Sequence, residues 1–207
     1  MQPADPSEAT GSCVDPSTGG AGPLTGRRVL IGVTGGIAAY KTCTIVSTLV
    51  QRGAEVTCAM TRSAKRFVRP LTFEVLSGRS VLTSLWRSQP EHEPSHIALA
   101  RRADVIVIAP ATANIIAKLA AGIADDLIST LVPAARCPVI VAPAMNDAMW
   151  ANRVVQRNVA TLRELDYRII EPGCGWMACR SVGVGRMEEP EVIVAAVEAV
   201  LGAASKA

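Results

Sequence analysis

Four short apolar runs punctuate the chain, at 28–34 (Arg-Val-Leu-Ile-Gly-Val-Thr), 55–60 (Glu-Val-Thr-Cys-Ala-Met), 104–109 (Asp-Val-Ile-Val-Ile-Ala) and 138–142 (Pro-Val-Ile-Val-Ala). Each is near-continuous rather than alternating, as strands buried on both faces are. Between them the period becomes helical. Residues 37–52 place Ile37, Tyr40, Thr44, Ile45, Thr48 and Leu49 on helical spacing, and Gly53 stands where a helix ends. Residues 64–90 predict two short helical pieces broken at Pro70, packed through Phe67, Leu71, Phe73, Val75 and Leu76. After a polar loop at 89–94, Ser95 caps a short helix reaching Ala103. Further helices are expected at 115–121, at 122–131 with Asp125 and Asp126 in the middle, from Trp150 to about Leu165, and at 190–203 behind Pro190; a last strand falls at 167–171. This alternation predicts a single α/β domain: a doubly wound, Rossmann-like or flavodoxin-like parallel sheet with helices on both faces.

Residues 1–26 are rich in Pro, Gly, Ser, Thr and Asp without periodicity. They read as a disordered N-terminal tail ahead of a domain at 27–203. The tail lacks the basic and apolar regions of a secretory signal, and no apolar run reaches membrane-spanning length. Six cysteines (13, 43, 58, 137, 174 and 179) are scattered without a CxxC pair, so a cytoplasmic protein with reduced thiols is expected. Aromatic residues make up 3% of a chain that is 49% apolar, which leaves the core to Val, Ile, Leu and Ala. A formal charge of +3 with no basic run predicts no nucleic-acid partner, and two histidines (His92 and His96) predict no metal site.

Candidate chemistry gathers where open α/β sheets put ligands, at the carboxyl ends of the strands. The first turn, Gly32-Val-Thr-Gly35-Gly36-Ile-Ala, departs from G-x-G-x-x-G, and the second strand ends in Thr61-Arg62-Ser63 without an acid for an adenosine ribose. NAD is disfavoured. Glycines ahead of a helix, with hydroxyls at Thr61 and Ser63, suit the phosphate of a mononucleotide. In Pro110-Ala-Thr-Ala-Asn114, Thr112 and Asn114 either cap a helix or bond a heteroatom-rich ring. In Pro143-Ala-Met-Asn-Asp-Ala-Met-Trp150, Asn146 is the only neutral amide, either an N-cap or a ligand contact; the methionines read as packing. His96 is one of few candidates for acid–base work near neutral pH. Residues 172–189, with four glycines in 172–185, read as a lid or binding loop. Its Cys179, near Arg180 and Arg186, is either a reactive thiol or a buried inert one.

In order along the chain, Gly35-Gly36-Ile-Ala-Ala-Tyr-Lys41, His96-Ile97, Pro110-Ala-Thr-Ala-Asn114 and Pro143-Ala-Met-Asn-Asp-Ala-Met-Trp150 resemble the flavin-dependent cysteine decarboxylases, over about residues 27–202. The loop ending in Gly185-Arg186-Met187 resembles their substrate clamp. The resemblance implies FMN held by Gly35, Gly36, Ile37, Thr61, Ser63, Thr112, Ala113, Asn114 and Ala144. It implies His96 as catalytic base, Asn146 as the grip on the substrate carboxylate, Ala178 and Met187 as clamp contacts, and Cys179 as proton donor. The implied reaction is decarboxylation of 4′-phosphopantothenoylcysteine in coenzyme A synthesis, by a homotrimer or a dodecamer built from trimers. The alternative is oxidative decarboxylation of a peptide's C-terminal cysteine, which stops at the enethiol and needs no proton donor. Thr112 stands where the family usually has serine, Ile115 where it has threonine, and Arg180-Ser181 where Gly-Asp is commoner.

Overall fold

The computed structural model describes residues 22–85 and 96–204. All five expected strands form: β1 (Arg28–Val33), β2 (Glu55–Met60), β3 (Val105–Ala111), β4 (Val139–Pro143) and β5 (Arg168–Ile169). They pair in parallel in the order β2-β1-β3-β4-β5, the flavodoxin-like winding. The apolar runs are continuous because each of the first four strands feeds two cores. On β3, Val105, Val107 and Ala109 enter one core, while Ile106 and Ile108 enter the other, as the two-residue period of a strand requires.

Helices α1 (Ala39–Gln51), α2 (Pro70–Ser77) and α8 (Pro190–Ala204) pack on the first face, and α3 (His96–Arg102), α4 (Ala113–Ala121), α5 (Leu127–Ala134) and α7 (Arg153–Glu164) on the second. A single-turn helix, α6 (Asp147–Trp150), follows β4. Since β1 is flanked by β2 on one side and β3 on the other, the connections leaving β1 and β3 diverge to opposite faces. A crevice opens between them at the carboxyl ends.

Three expectations need correction. Packing starts ahead of residue 27, because Leu24 is buried in the first core and its N–H reaches the Arg52 carbonyl at 3.0 Å. Asp126 is not mid-helix but the N-cap of α5, in a reciprocal capping box with Ser129. The two short helical pieces expected around Pro70 do form, a 3-10 turn at Ala64–Arg66 and then α2, which Pro70 opens at a position where its missing N–H costs nothing. Residues 172–189 are not an irregular loop but carry an antiparallel hairpin, β6 (Gly173–Trp176) and β7 (Val182–Arg186). Its glycines alternate with Cys174, Trp176, Val182 and Val184, and this all-glycine face is what hid the strand period. Ser95 and the loop at 89–94 lie outside the described residues. Among the described residues, no helix is long and apolar enough to cross a membrane.

Candidate active site

A cleft of about 550 Å³ occupies the crevice, bounded by the glycine turn after β1, the starts of α1 and α4, the segment after β4 and the inner side of the β6–β7 hairpin. The turn is tied to the end of β3 by a residue the sequence did not single out. Thr34, buried, donates its hydroxyl to the Pro110 carbonyl at 2.6 Å and accepts the Thr112 N–H at 3.1 Å. Thr42 adds a second tie from α1 to the Ala109 carbonyl at 2.8 Å. Gly35 is required sterically, since a Cβ there would lie 2.4 Å from the Ser63 Cβ. Gly36 has no such neighbour: a Cβ would meet only Pro110 and Thr112 side chains at 3.7 Å.

Thr112 is the N-cap of α4, accepting the Ile115 N–H. Ile115 itself is buried in the second core, so the hydroxyl lost at that position is lost from packing and not from the cleft wall. Thr61 accepts the Ala64 N–H at 3.1 Å, closing the turn after β2. Of the nine residues expected to hold a flavin, Gly35, Gly36, Ile37, Thr112, Ala113 and Ala144 line the cleft. Thr61, Ser63 and Asn114 lie at the same end of the sheet without lining it. A glycine turn against Ser63, with small side chains and one hydroxyl along a largely apolar wall, fits a planar ring carrying a phosphate.

Asn146 combines both readings of its motif. Its Oδ1 caps α6 by accepting the Ala148 N–H at 2.9 Å, which leaves the amide hydrogens on Nδ2 for the cleft. Nδ2 donates to Cys179 Sγ at 3.3 Å. Cys179 is exposed at the hairpin tip and not a buried inert thiol. Hydrogen bonding with Ser181 and then with Asn146 holds its thiol below the ordinary cysteine range, whereas burial pushes Cys58 up to about 12 and Cys137 up to about 11.

The hairpin sits as a flap over the Asn146 segment because two glycines let it approach. A Cβ at Gly185 would lie 2.4 Å from the Met145 carbonyl oxygen, and one at Gly183 would lie 2.8 Å from Asp147 Cβ. Met145 N–H bonds the Gly185 carbonyl at 2.9 Å. The flap's far stem is anchored by Lys41, which the sequence had left without a role. Its buried ammonium donates to the Met187 carbonyl at 3.1 Å and to Glu189 Oε2 at 3.0 Å, and Arg186 pairs with the same carboxylate. That contact spans 148 residues, so no local spacing reveals it. Met187 lines the cleft with its side chain packed in the core, and Ala178 lines it from the flap tip. The backbone of His96 opens α3; its side chain lies outside the described residues. Among the described residues there is no cluster of three or more His, Cys, Asp or Glu able to hold a metal.

Residues 21–202 match the family model described as Flavoprotein. The chain is 52% identical over 171 residues to the coenzyme A biosynthesis bifunctional protein CoaBC of Bacillus subtilis (strain 168), covering 83% of this chain and 42% of that protein. It thus spans less than half the length of that relative. Among solved structures it is similar to the FMN-dependent cysteine decarboxylase SpaF, with a TM-score of 0.75 and 36% identity over 88% of this chain and 99% of that one. It is likewise similar to a PPC decarboxylase mutant complexed with pantothenoylaminoethenethiol, with a TM-score of 0.74 and 32% identity over 84% and 97% of the two chains.

Proposed function

The chain belongs to the Flavoprotein family, and from that premise we propose that it is an FMN-dependent carboxy-lyase that converts 4′-phosphopantothenoylcysteine to 4′-phosphopantetheine and CO₂ in coenzyme A synthesis. The observation that carries this reading is the pairing of Asn146 Nδ2 with Cys179 Sγ at 3.3 Å, beside the glycine turn. It brings a carboxylate-binding donor and a proton donor to one point.

FMN, when bound, would supply the electron sink that this decarboxylation needs, reversible two-electron oxidation of the cysteine side chain so that a C=S group lies β to the departing carboxylate. The protein's own work is positional. Gly35, Gly36, Ile37, Thr112, Ala113 and Ala144 would hold the cofactor, with Ser63 behind Gly35, and Thr61 and Asn114 at the neighbouring strand ends. His96 takes the proton released as the side chain is oxidised. Asn146 Nδ2 donates to the carboxylate and turns it for departure. The flap, with Ala178 and Met187 on its inner side, keeps water from the enethiolate. Cys179 then gives its proton to the carbon that lost CO₂, the neighbouring sulfur-bearing carbon regains the hydride equivalent, and the sulfur takes back the proton held by His96, which leaves a saturated thiol.

That last step separates this reading from its alternative, oxidative decarboxylation of a peptide's C-terminal cysteine. An enzyme that stops at the enethiol has no use for a proton donor, and here the thiol is pinned at the carboxylate anchor. The family's homotrimeric or dodecameric assembly is part of the proposal. Exposed Phe67, Leu71 and Val75 on and beside α2, with Ile37 and Tyr40 on the cleft rim, supply an apolar surface of the kind subunits cover. We place the enzyme in the cytoplasm. The test is release of CO₂ from 4′-phosphopantothenoylcysteine by the yellow holoprotein, with His96→Asn retaining the flavin colour and losing turnover.

A further inference from the structure

The flap tip has a geometry of its own. Ala178, Cys179 and Arg180 form a three-residue loop closed by two backbone bonds of 2.9 Å, from Arg180 N–H to the Met177 carbonyl and from Met177 N–H to the Ser181 carbonyl. Arg180, third in the loop, takes a left-handed φ of 64°, as hairpin loops of this length require. That turn folds the chain back so that Ser181 Oγ lies 3.1 Å from Cys179 Sγ. The sulfur therefore has two hydrogen-bonding neighbours, Asn146 across the cleft mouth and Ser181 two residues on in the same flap tip.

The two neighbours are not equivalent. With Oδ1 committed to Ala148, the Asn146 amide offers the sulfur only donor hydrogens. A hydroxyl rotates, so it can accept an S–H bond or donate to a bare sulfur. An aspartate in its place would accept from a thiol but oppose a thiolate by like charge.

We propose that Ser181 is the positioning residue for Cys179, its hydroxyl accepting from the resting S–H and turning to donate once the proton has left, so that the sulfur stays beside Asn146 in both states. This rests on the function read above, in which Cys179 protonates the reacting carbon. The S–H bond breaks, a C–H bond forms, the sulfur keeps the electron pair, and solvent water returns a proton before the next cycle. Among the described residues, charged groups near the tip include Arg180 within it, Asp147 against Gly183, and Arg186, already paired with Glu189. Substitution at 181 leaves all three in place.

The test reads the sulfur directly and needs no substrate. Purified holoprotein is alkylated with iodoacetamide across about pH 6 to 10, and modification is followed by mass spectrometry at the Cys179 peptide, with exposed Cys174 as internal control. Ser181→Ala is expected to move the midpoint of the Cys179 profile upward and to slow alkylation at neutral pH by roughly three- to tenfold. Ser181→Asp should move it further, and Ser181→Thr should stay near the parent protein. A Cys179 profile unchanged in both Ser181→Ala and Ser181→Asp overturns the proposal. In turnover, Ser181→Ala should release more enethiol at unchanged KM. Since alkylation is blind to the substrate, a failed decarboxylation assay and a failed profile are separate results.

Discussion

Asn146 Nδ2 stands 3.3 Å from Cys179 Sγ while Asn146 Oδ1 accepts the Ala148 N–H at 2.9 Å. One side chain therefore caps a helix and faces the reaction, and the two jobs separate by substitution. Asn146→Asp keeps a good N-cap but loses the amide hydrogens and places a negative charge where the carboxylate must sit. Its thermal unfolding should stay within about 1 kcal/mol of the parent, while CO₂ release falls by on the order of a hundredfold or more. Asn146→Ala loses both, and should be less stable by about 1 kcal/mol as well as inactive. An active Asn146→Asp protein would remove the carboxylate-anchor role.

The flap's approach depends on a missing Cβ. At Gly185, with φ of 154° and the Met145 carbonyl oxygen 2.4 Å from where a Cβ would stand, alanine forces the hairpin off the Asn146 segment. Gly185→Ala should retain bound flavin, measured by absorbance, yet raise KM and release enethiol as the flap loosens. Gly36→Ala, by contrast, meets only side chains at 3.7 Å and should fold normally. Normal KM in Gly185→Ala would mean that the docked flap is not the working position.

Arg180 pays for its left-handed backbone, since a side chain at φ of 64° is disfavoured relative to glycine. Arg180→Gly relieves that strain, offset in part by the freer unfolded chain. A net gain of about 0.5–1 kcal/mol is expected in urea unfolding. A loss would show that the arginine side chain holds the turn by contacts of its own.

Acid should unfold the protein partly through Asp104. Burial pushes its carboxyl up, but hydrogen bonds from the Arg28 side chain and backbone N–H outweigh it and hold the group below the ordinary aspartate range. A depressed folded value means that this contribution is complete above the unfolded value, about pH 4, and is lost as pH falls through the folded one. Asp126, bonded to Lys118 and Ser129, is lowered in the same net direction. Urea midpoints measured downward from about pH 5 should fall less steeply in Asp104→Asn than in the parent protein, from a lower starting stability.

The sheet was legible because its strands are buried on both faces, so continuous apolar runs such as 104–109 mark them without ambiguity. The Asn146 segment was legible because a cap and a ligand contact ask for the same residue type at the same strand end. The flap hairpin was hidden by its own glycines: removing every side chain from one face removes the alternation that identifies a strand. Thr34 and Lys41 were hidden for another reason. Their partners, Pro110, Thr112, Met187 and Glu189, are remote in sequence and meet them only through the fold. Asp126 was misplaced because two adjacent acids inside an apolar stretch look like a solvated helix face until the reciprocal bond to Ser129 is seen.

The proton given by Cys179 is the centre of the account, and the mass of the product tests it most directly. Holoprotein incubated with 4′-phosphopantothenoylcysteine should yield a product lighter than substrate by CO₂ alone, and Cys179→Ser should yield one lighter by CO₂ and two further hydrogens. A parent enzyme that released the second product, or a Cys179→Ser enzyme that made the first at the normal rate, would contradict it.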